Sequence, residues 1–150
     1  PLHGELTPQG AKNEALQVIC ATLLTDQPIE IRNIPNIRDV NFLIELLVQI
    51  GVNVESIGGN DQRFTATNIQ LGFLETEAFE KRASALRGSI MIIGPLLARF
   101  GKARIPKPGG DKIGRRRLDT HFEGFRKLGA TLTFDPGQQL YSIDASSLEG

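Results

Sequence analysis

Apolar positions recur at helical spacing in four stretches of the chain, with alternating or short apolar runs between them. Leu16, Ile19, Cys20, Leu23 and Leu24 follow Gly10-Ala11-Lys12-Asn13 on one face, which predicts a helix that Asp26-Gln27-Pro28 ends. Ile29-Glu30-Ile31-Arg32 alternates as a strand with one wet face. Over 36–50, Val40, Leu43, Ile44, Leu47 and Ile50 form a continuous stripe, and Gly51 reads as the helix C-cap. Two strands are predicted over 52–57 and 63–67, joined by the hairpin signal Gly58-Gly59-Asn60-Asp61.

The same order then returns. A third helix is predicted over 84–100, carrying Leu86, Ile90, Ile93 and Leu97 on one side and kinked at Gly94-Pro95. A short strand follows over 103–105, then a fourth helix over 119–128 closed by Gly129. Strands over 130–134 and 140–143 pair around Asp135-Pro136-Gly137. Ile50-Gly51-Val52 answers Leu128-Gly129-Ala130 at an offset of 78, while Leu23-Leu24 answers Leu96-Leu97 at 73. The second copy therefore carries about five extra residues between its first strand and second helix. The expected fold class is α/β (α+β), with repeated βαβαββ-type units whose helices pack on small mixed sheets. Residues 1–150 read as a single partial domain, with one unit at about 10–70 and another at about 75–147.

Composition changes this picture little until charge is resolved along the chain. Apolar residues at 40% and charged residues at 23% are ordinary for a globular chain, and 17 basic residues balance 17 acidic ones. No overall field draws in nucleic acid or a membrane surface. One cysteine, Cys20, excludes an internal disulfide and fits a reducing, cytoplasmic setting; its place on an apolar face reads as core, not nucleophile. No run of eighteen apolar residues and no basic-then-apolar leader is present. His3 and His121 are far apart, so no metal cluster is expected, and no phosphate-loop or dinucleotide fingerprint occurs.

Residues 102–117 are the exception. They hold seven basic side chains (Lys102, Arg104, Lys107, Lys112, Arg115, Arg116, Arg117) and one acid, Asp111, behind Pro108-Gly109-Gly110. Such a run is either a solvated basic loop or a place to hold a multiply charged anion. The extra residues fall on it, and loops on a rigid frame carry function, which favours the second reading. Lys12 at the start of the first helix lies where free backbone N–H groups already favour an anion, and Arg87 lies in the first turns of the third; the alternative for each is a solvated surface cation. Arg116, with its planar fork, suits bidentate phosphate or carboxylate contacts. Symmetric packing would bring Lys12, Arg87 and Arg116 to one pocket. Asp111 is a candidate general acid, base or nucleophile. Desolvation would favour its neutral form and the neighbouring cations its carboxylate.

Gly10-Ala11-Lys12-Asn13, Leu86-Arg87-Gly88-Ser89, the run Gly94-Pro95-Leu96-Leu97-Ala98-Arg99-Phe100-Gly101 and Pro108-Gly109-Gly110-Asp111-Lys112-Ile113-Gly114-Arg115-Arg116 occur in this order. Together they resemble the N-terminal part of the enolpyruvyl transferase family, in particular its members that act on UDP-N-acetylglucosamine. The shikimate-phosphate members share the fold but not this Pro-Gly-Gly loop. The resemblance implies an enolpyruvyl-transferase-like fold of two lobes, each of three similar units, of which this chain covers about two. It implies transfer of the enolpyruvyl group of phosphoenolpyruvate to the sugar 3′-hydroxyl, with release of phosphate and without metal or organic cofactor. Lys12 and Arg116 would hold phosphoenolpyruvate with Arg87 beside them, Asn13 would contact the sugar, and Asp119 would lie along the uridine diphosphate. Asp111 stands where many members carry a cysteine, some carrying Asp, and would donate the proton to the phosphoenolpyruvate methylene. Met91 replaces an aromatic residue of many members. The remaining parts, a third unit and a second lobe with its aspartate base and a C-terminal arginine, would be missing partners. An uncovered apolar face would then favour self-association. The alternative is a standalone anion- or RNA-binding α/β module. The absence of Phe, Tyr and Trp from 102–119 speaks against RNA, whose readers interleave aromatics with basic residues.

Overall fold

The computed structural model describes residues 2–107, 118–146 and 148–149. Five α-helices and six strands appear among them. In order they are α1 (Lys12–Ala21), β1 (Ile29–Ile31), α2 (Arg38–Ile50), β2 (Asn53–Gly58), β3 (Asp61–Thr65), α3 (Glu77–Ala85), α4 (Ile93–Phe100), β4 (Lys102–Pro106), α5 (Asp119–Lys127), β5 (Thr131–Asp135) and β6 (Leu140–Asp144). Short 3-10 turns occupy Thr22–Leu24, Leu71–Glu75 and Arg87–Ile92.

The strands make two three-stranded sheets, ordered β1-β3-β2 and β4-β6-β5. The first and second strands of each set run parallel to one another, but the last strand lies between them. Every hydrogen-bonded pair is consequently antiparallel, where mixed pairing was expected. The described residues ahead of α1 form no strand, so the first sheet is built by the αβαββ part of the expected βαβαββ-type unit. The connection from β1 to α2 is the six residues 32–37, and that from β4 to α5 is the twelve residues 107–118. The second sheet thus carries the longer connection at the expected place.

Pleating sorts each sheet into a wet and a dry face. In β3, Phe64 is fully buried between Ile29 and Val54, while its neighbour Arg63 faces outward between Glu30 and Glu55. Arg63 pairs with Glu30 at 2.7 Å and Glu55 at 3.6 Å. The hydrogen bond to Glu30 leads the causes that hold its guanidinium above the usual range. In the other sheet Tyr141 lies opposite both the buried Ile105 and the exposed Phe134. Phe122 of α5 stacks on Tyr141 with ring centroids 4.5 Å apart. One contiguous apolar cluster joins the two halves, running from Ile19, Leu43 and Leu47 through Phe79 and Ile92 to Leu96, Ile105 and Ile143.

The helix expected over 84–100 is broken. Leu86 is extended (φ −121°, ψ 119°), and α3, which the sequence reading missed, meets the 87–100 stretch at 116°. The bend therefore falls at Leu86 and not at Gly94-Pro95. Pro95 is the third residue of α4, in the first turn, where the missing N–H deprives the helix of nothing. Among the described residues no single helix is long and apolar enough to cross a membrane.

Candidate functional site

Lys12 is the first residue of α1, and Ala11 before it supplies no side-chain cap. The first-turn N–H groups of α1 are thus left to other partners. Its position is fixed by a chain of short contacts. Asn33 adopts a left-handed conformation (φ 55°), which an asparagine tolerates, and its N–H donates to Asp61 Oδ1 at 2.8 Å. Ile34 N–H donates to the carbonyl of Asn60 at 3.0 Å, so the β2–β3 turn pins residues 33–34. Gly10 then passes so close to the Asn33 carbonyl that a Cβ would lie 2.1 Å from its oxygen. Only glycine permits this approach. It sets the start of α1 beside the start of α2, and there Lys12 Nζ forms an ion pair with Asp39, the second residue of α2. Asn13, next along α1, is exposed.

Arg87 opens the 3-10 turn Arg87–Ile92 and is half-buried. The fully buried Ser89 shapes this corner: its Oγ lies 2.7 Å from both the Ala83 and the Leu86 carbonyl oxygens, bridging the end of α3 and the bend. Gly88 abuts Leu16, one turn along α1 from Lys12, and a Cβ at Gly88 would lie 3.1 Å from Leu16 Cδ1. Arg87 therefore begins a segment packed directly on the helix that carries Lys12. The motif Leu86-Arg87-Gly88-Ser89 was visible in the sequence, but no role for Ser89 was, because its two acceptors belong to a bend that periodicity did not reveal.

Asp119 is the first residue of α5 and contributes to a cleft of about 390 Å³ with Phe122, Glu123, Arg126, Leu132, Phe134 and Tyr141. A second cleft of about 400 Å³ is lined by residues that include Leu71, Glu75, Lys102, Arg104 and Asp144. Neither is lined by Lys12, Asn13 or Arg87. Asp111 and Arg116 lie outside the described residues. The described part of the basic window, Lys102 to Lys107, forms β4 and the start of the long connection toward α5. Electrostatically, the Lys12 corner combines a cation paired with Asp39 and two helix starts without side-chain caps, whose free N–H groups favour an anion.

Cys20 belongs to none of this. It is buried in α1, and burial pushes its thiol up to about 12, which keeps it protonated and unreactive.

A protein named UDP-N-acetylglucosamine 1-carboxyvinyltransferase from Bacteroides fragilis is 56% identical over 149 residues, 99% of this chain and 34% of that protein. A relative of the same name from Porphyromonas gingivalis is 54% identical over 149 residues, with the same 99% and 34% coverage. The chain spans about a third of the length of the curated relatives it matches. Among solved structures, the enolpyruvyl transferase NikO from Streptomyces tendae superposes with a TM-score of 0.77 at 19% identity, covering 99% of this chain and 31% of that one. An EPSP synthase from Acinetobacter baumannii gives 0.65 at 16% identity, covering 98% and 33%. At such identities the structural likeness is one of fold. Residues 1–150, the whole chain, match the family described as EPSP synthase (3-phosphoshikimate 1-carboxyvinyltransferase), and the chain belongs to that family.

Proposed function

We propose that this chain is the N-terminal part of an enzyme that transfers the enolpyruvyl group of phosphoenolpyruvate to the 3′-hydroxyl of UDP-N-acetylglucosamine. This is the first committed step of peptidoglycan synthesis. The observation that carries the reading is the 56% identity over 149 residues to a protein named for that reaction. A cytoplasmic setting fits the single buried thiol.

In this reading Lys12 and Arg116 grip the phosphate and carboxylate of phosphoenolpyruvate, with Arg87 beside them. Asn13 contacts the sugar and Asp119 the uridine diphosphate. Asp111 gives a proton to the phosphoenolpyruvate methylene as the sugar oxygen bonds to the adjacent carbon. The hydroxyl proton leaves to a base outside this chain. Loss of phosphate, with a proton from the new methyl group, restores the double bond. The uncapped start of α1, the pinned position of Lys12 and the packing of the Arg87 segment on α1 all support the proposal. The matching strand orders and the longer second connection likewise support reading residues of about 10–70 and 75–147 as two copies of one unit.

The test is phosphate release by the full-length protein that carries this chain. Release that needs both phosphoenolpyruvate and UDP-N-acetylglucosamine is expected, and Lys12→Ala should lower kcat/KM by about 100-fold or more, the scale of losing a charge-assisted contact to a buried anion. Release with shikimate 3-phosphate as acceptor, and none with the sugar nucleotide, would overturn the proposal. The 150 residues alone should give only background release. Fosfomycin, which alkylates the loop cysteine of other members, should leave position 111 unmodified here, and an adduct on Asp111 in mass spectrometry would contradict that.

A further inference from the structure

We infer that Asp39 is a positioning residue for the anion site. It holds the ammonium of Lys12 in place before substrate arrives. This rests on the reading of Lys12 given under Proposed function. The observation is the Lys12–Asp39 ion pair, formed between the first residue of α1 and the second residue of α2. The two side chains are 48% and 40% exposed, so both are reachable by a dissolved ligand.

Lys12 needs such a partner. Its ammonium ends a flexible four-carbon stem, and an exposed lysine samples many rotamers, so its ordering would weigh against anion binding each time. Asp39 does not share that freedom. Its shorter side chain has fewer rotamers and projects from the first turn of α2. The backbone below is fixed as well: Gly10 lies against the Asn33 carbonyl, and Asn33 is tied to Asp61. An ammonium carries three donors. With one directed to Asp39, two remain for a phosphate or carboxylate oxygen.

The carboxylate also opposes the approach of an anion, so its removal has two effects of opposite sign. Positioning is the larger effect, because the two partners are held by two helices whose starts lie side by side, whereas repulsion across an exposed site is screened by water and salt. The sign is measurable.

In the full-length protein, Asp39→Ala should raise KM for phosphoenolpyruvate about tenfold while kcat changes less than about threefold, the signature of lost ground-state positioning. KM for UDP-N-acetylglucosamine and the melting temperature should stay near wild type. Asp39→Asn, which keeps the shape, should show the same split, and Asp39→Glu should restore most of the affinity. An unchanged or lower KM for phosphoenolpyruvate in both Asp39→Ala and Asp39→Asn would overturn the inference. So would a parallel loss for both substrates with a lower melting temperature, which marks a scaffold role. If the wild-type protein transfers nothing, or if Lys12→Ala is fully active, the reading of Lys12 fails and this inference with it. An active wild type, a crippled Lys12→Ala and a normal Asp39→Ala would sink this inference alone.

Discussion

Cys20 is the side chain whose titration folding alters most plainly. Its folded thiol is raised from 9.0 to about 12 by burial, while the unfolded chain leaves it in water. Between these values the unfolded state releases a proton that the folded state retains. The contribution of Cys20 to stability is therefore complete below pH 9 and is lost as pH rises toward 12. The stability difference between wild type and Cys20→Ala, measured by denaturant titration, should fall over that window, and a flat difference would contradict the burial argument. The apolar face that buries Cys20 was legible from helical spacing. The partner of Lys12 was not, since Asp39 lies on another helix and meets it only through the Gly10–Asn33 approach. Local sequence rules carry no signal for such a meeting.

At the scale of elements, strands and hairpins were read more faithfully than the middle of the chain. The alternation around Phe64 marked β3, and Gly51 and Gly129 marked the ends of α2 and α5. The residues of α3, Glu-Ala-Phe-Glu-Lys-Arg-Ala-Ser-Ala, offer only Phe79 and Ala83 to the core, too few to announce a helix by periodicity. Tertiary packing of Phe79 supplies what the pattern lacks. Arg99 was likewise invisible as a structural residue. Its Nη1 lies 3.1, 3.1 and 2.8 Å from the carbonyl oxygens of Leu23, Thr25 and Ala66, tying α4 to the first half of the chain. Arg99→Met keeps much of the stem and leaves those carbonyls without their donor. It should cost about 2 kcal/mol, the scale for hydrogen bonds to a charged group. Thermal unfolding in which Arg99→Met matches wild type would show that this tie contributes nothing.

Over the whole molecule, the two sheets share one strand order and differ most in the connection that the basic run occupies. Val18, Leu24 and Val48, all in the first third of the chain, remain between 43% and 51% exposed on helical segments. We propose that the chain by itself associates through such apolar positions. Light scattering at rising concentration should report masses above 16.4 kDa, and a constant monomer mass would count against it.

Lys12, from the start of α1, and Arg116, in the long connection, are proposed to act on one anion. The most direct test is a double-mutant cycle on phosphoenolpyruvate affinity in the full-length protein with UDP-N-acetylglucosamine present. Lys12→Ala and Arg116→Ala should each weaken binding. Their double mutant should depart from additivity by about 1 kcal/mol or more, as residues sharing a partner do. Effects that add within about 0.5 kcal/mol, the behaviour of independent sites, would contradict it.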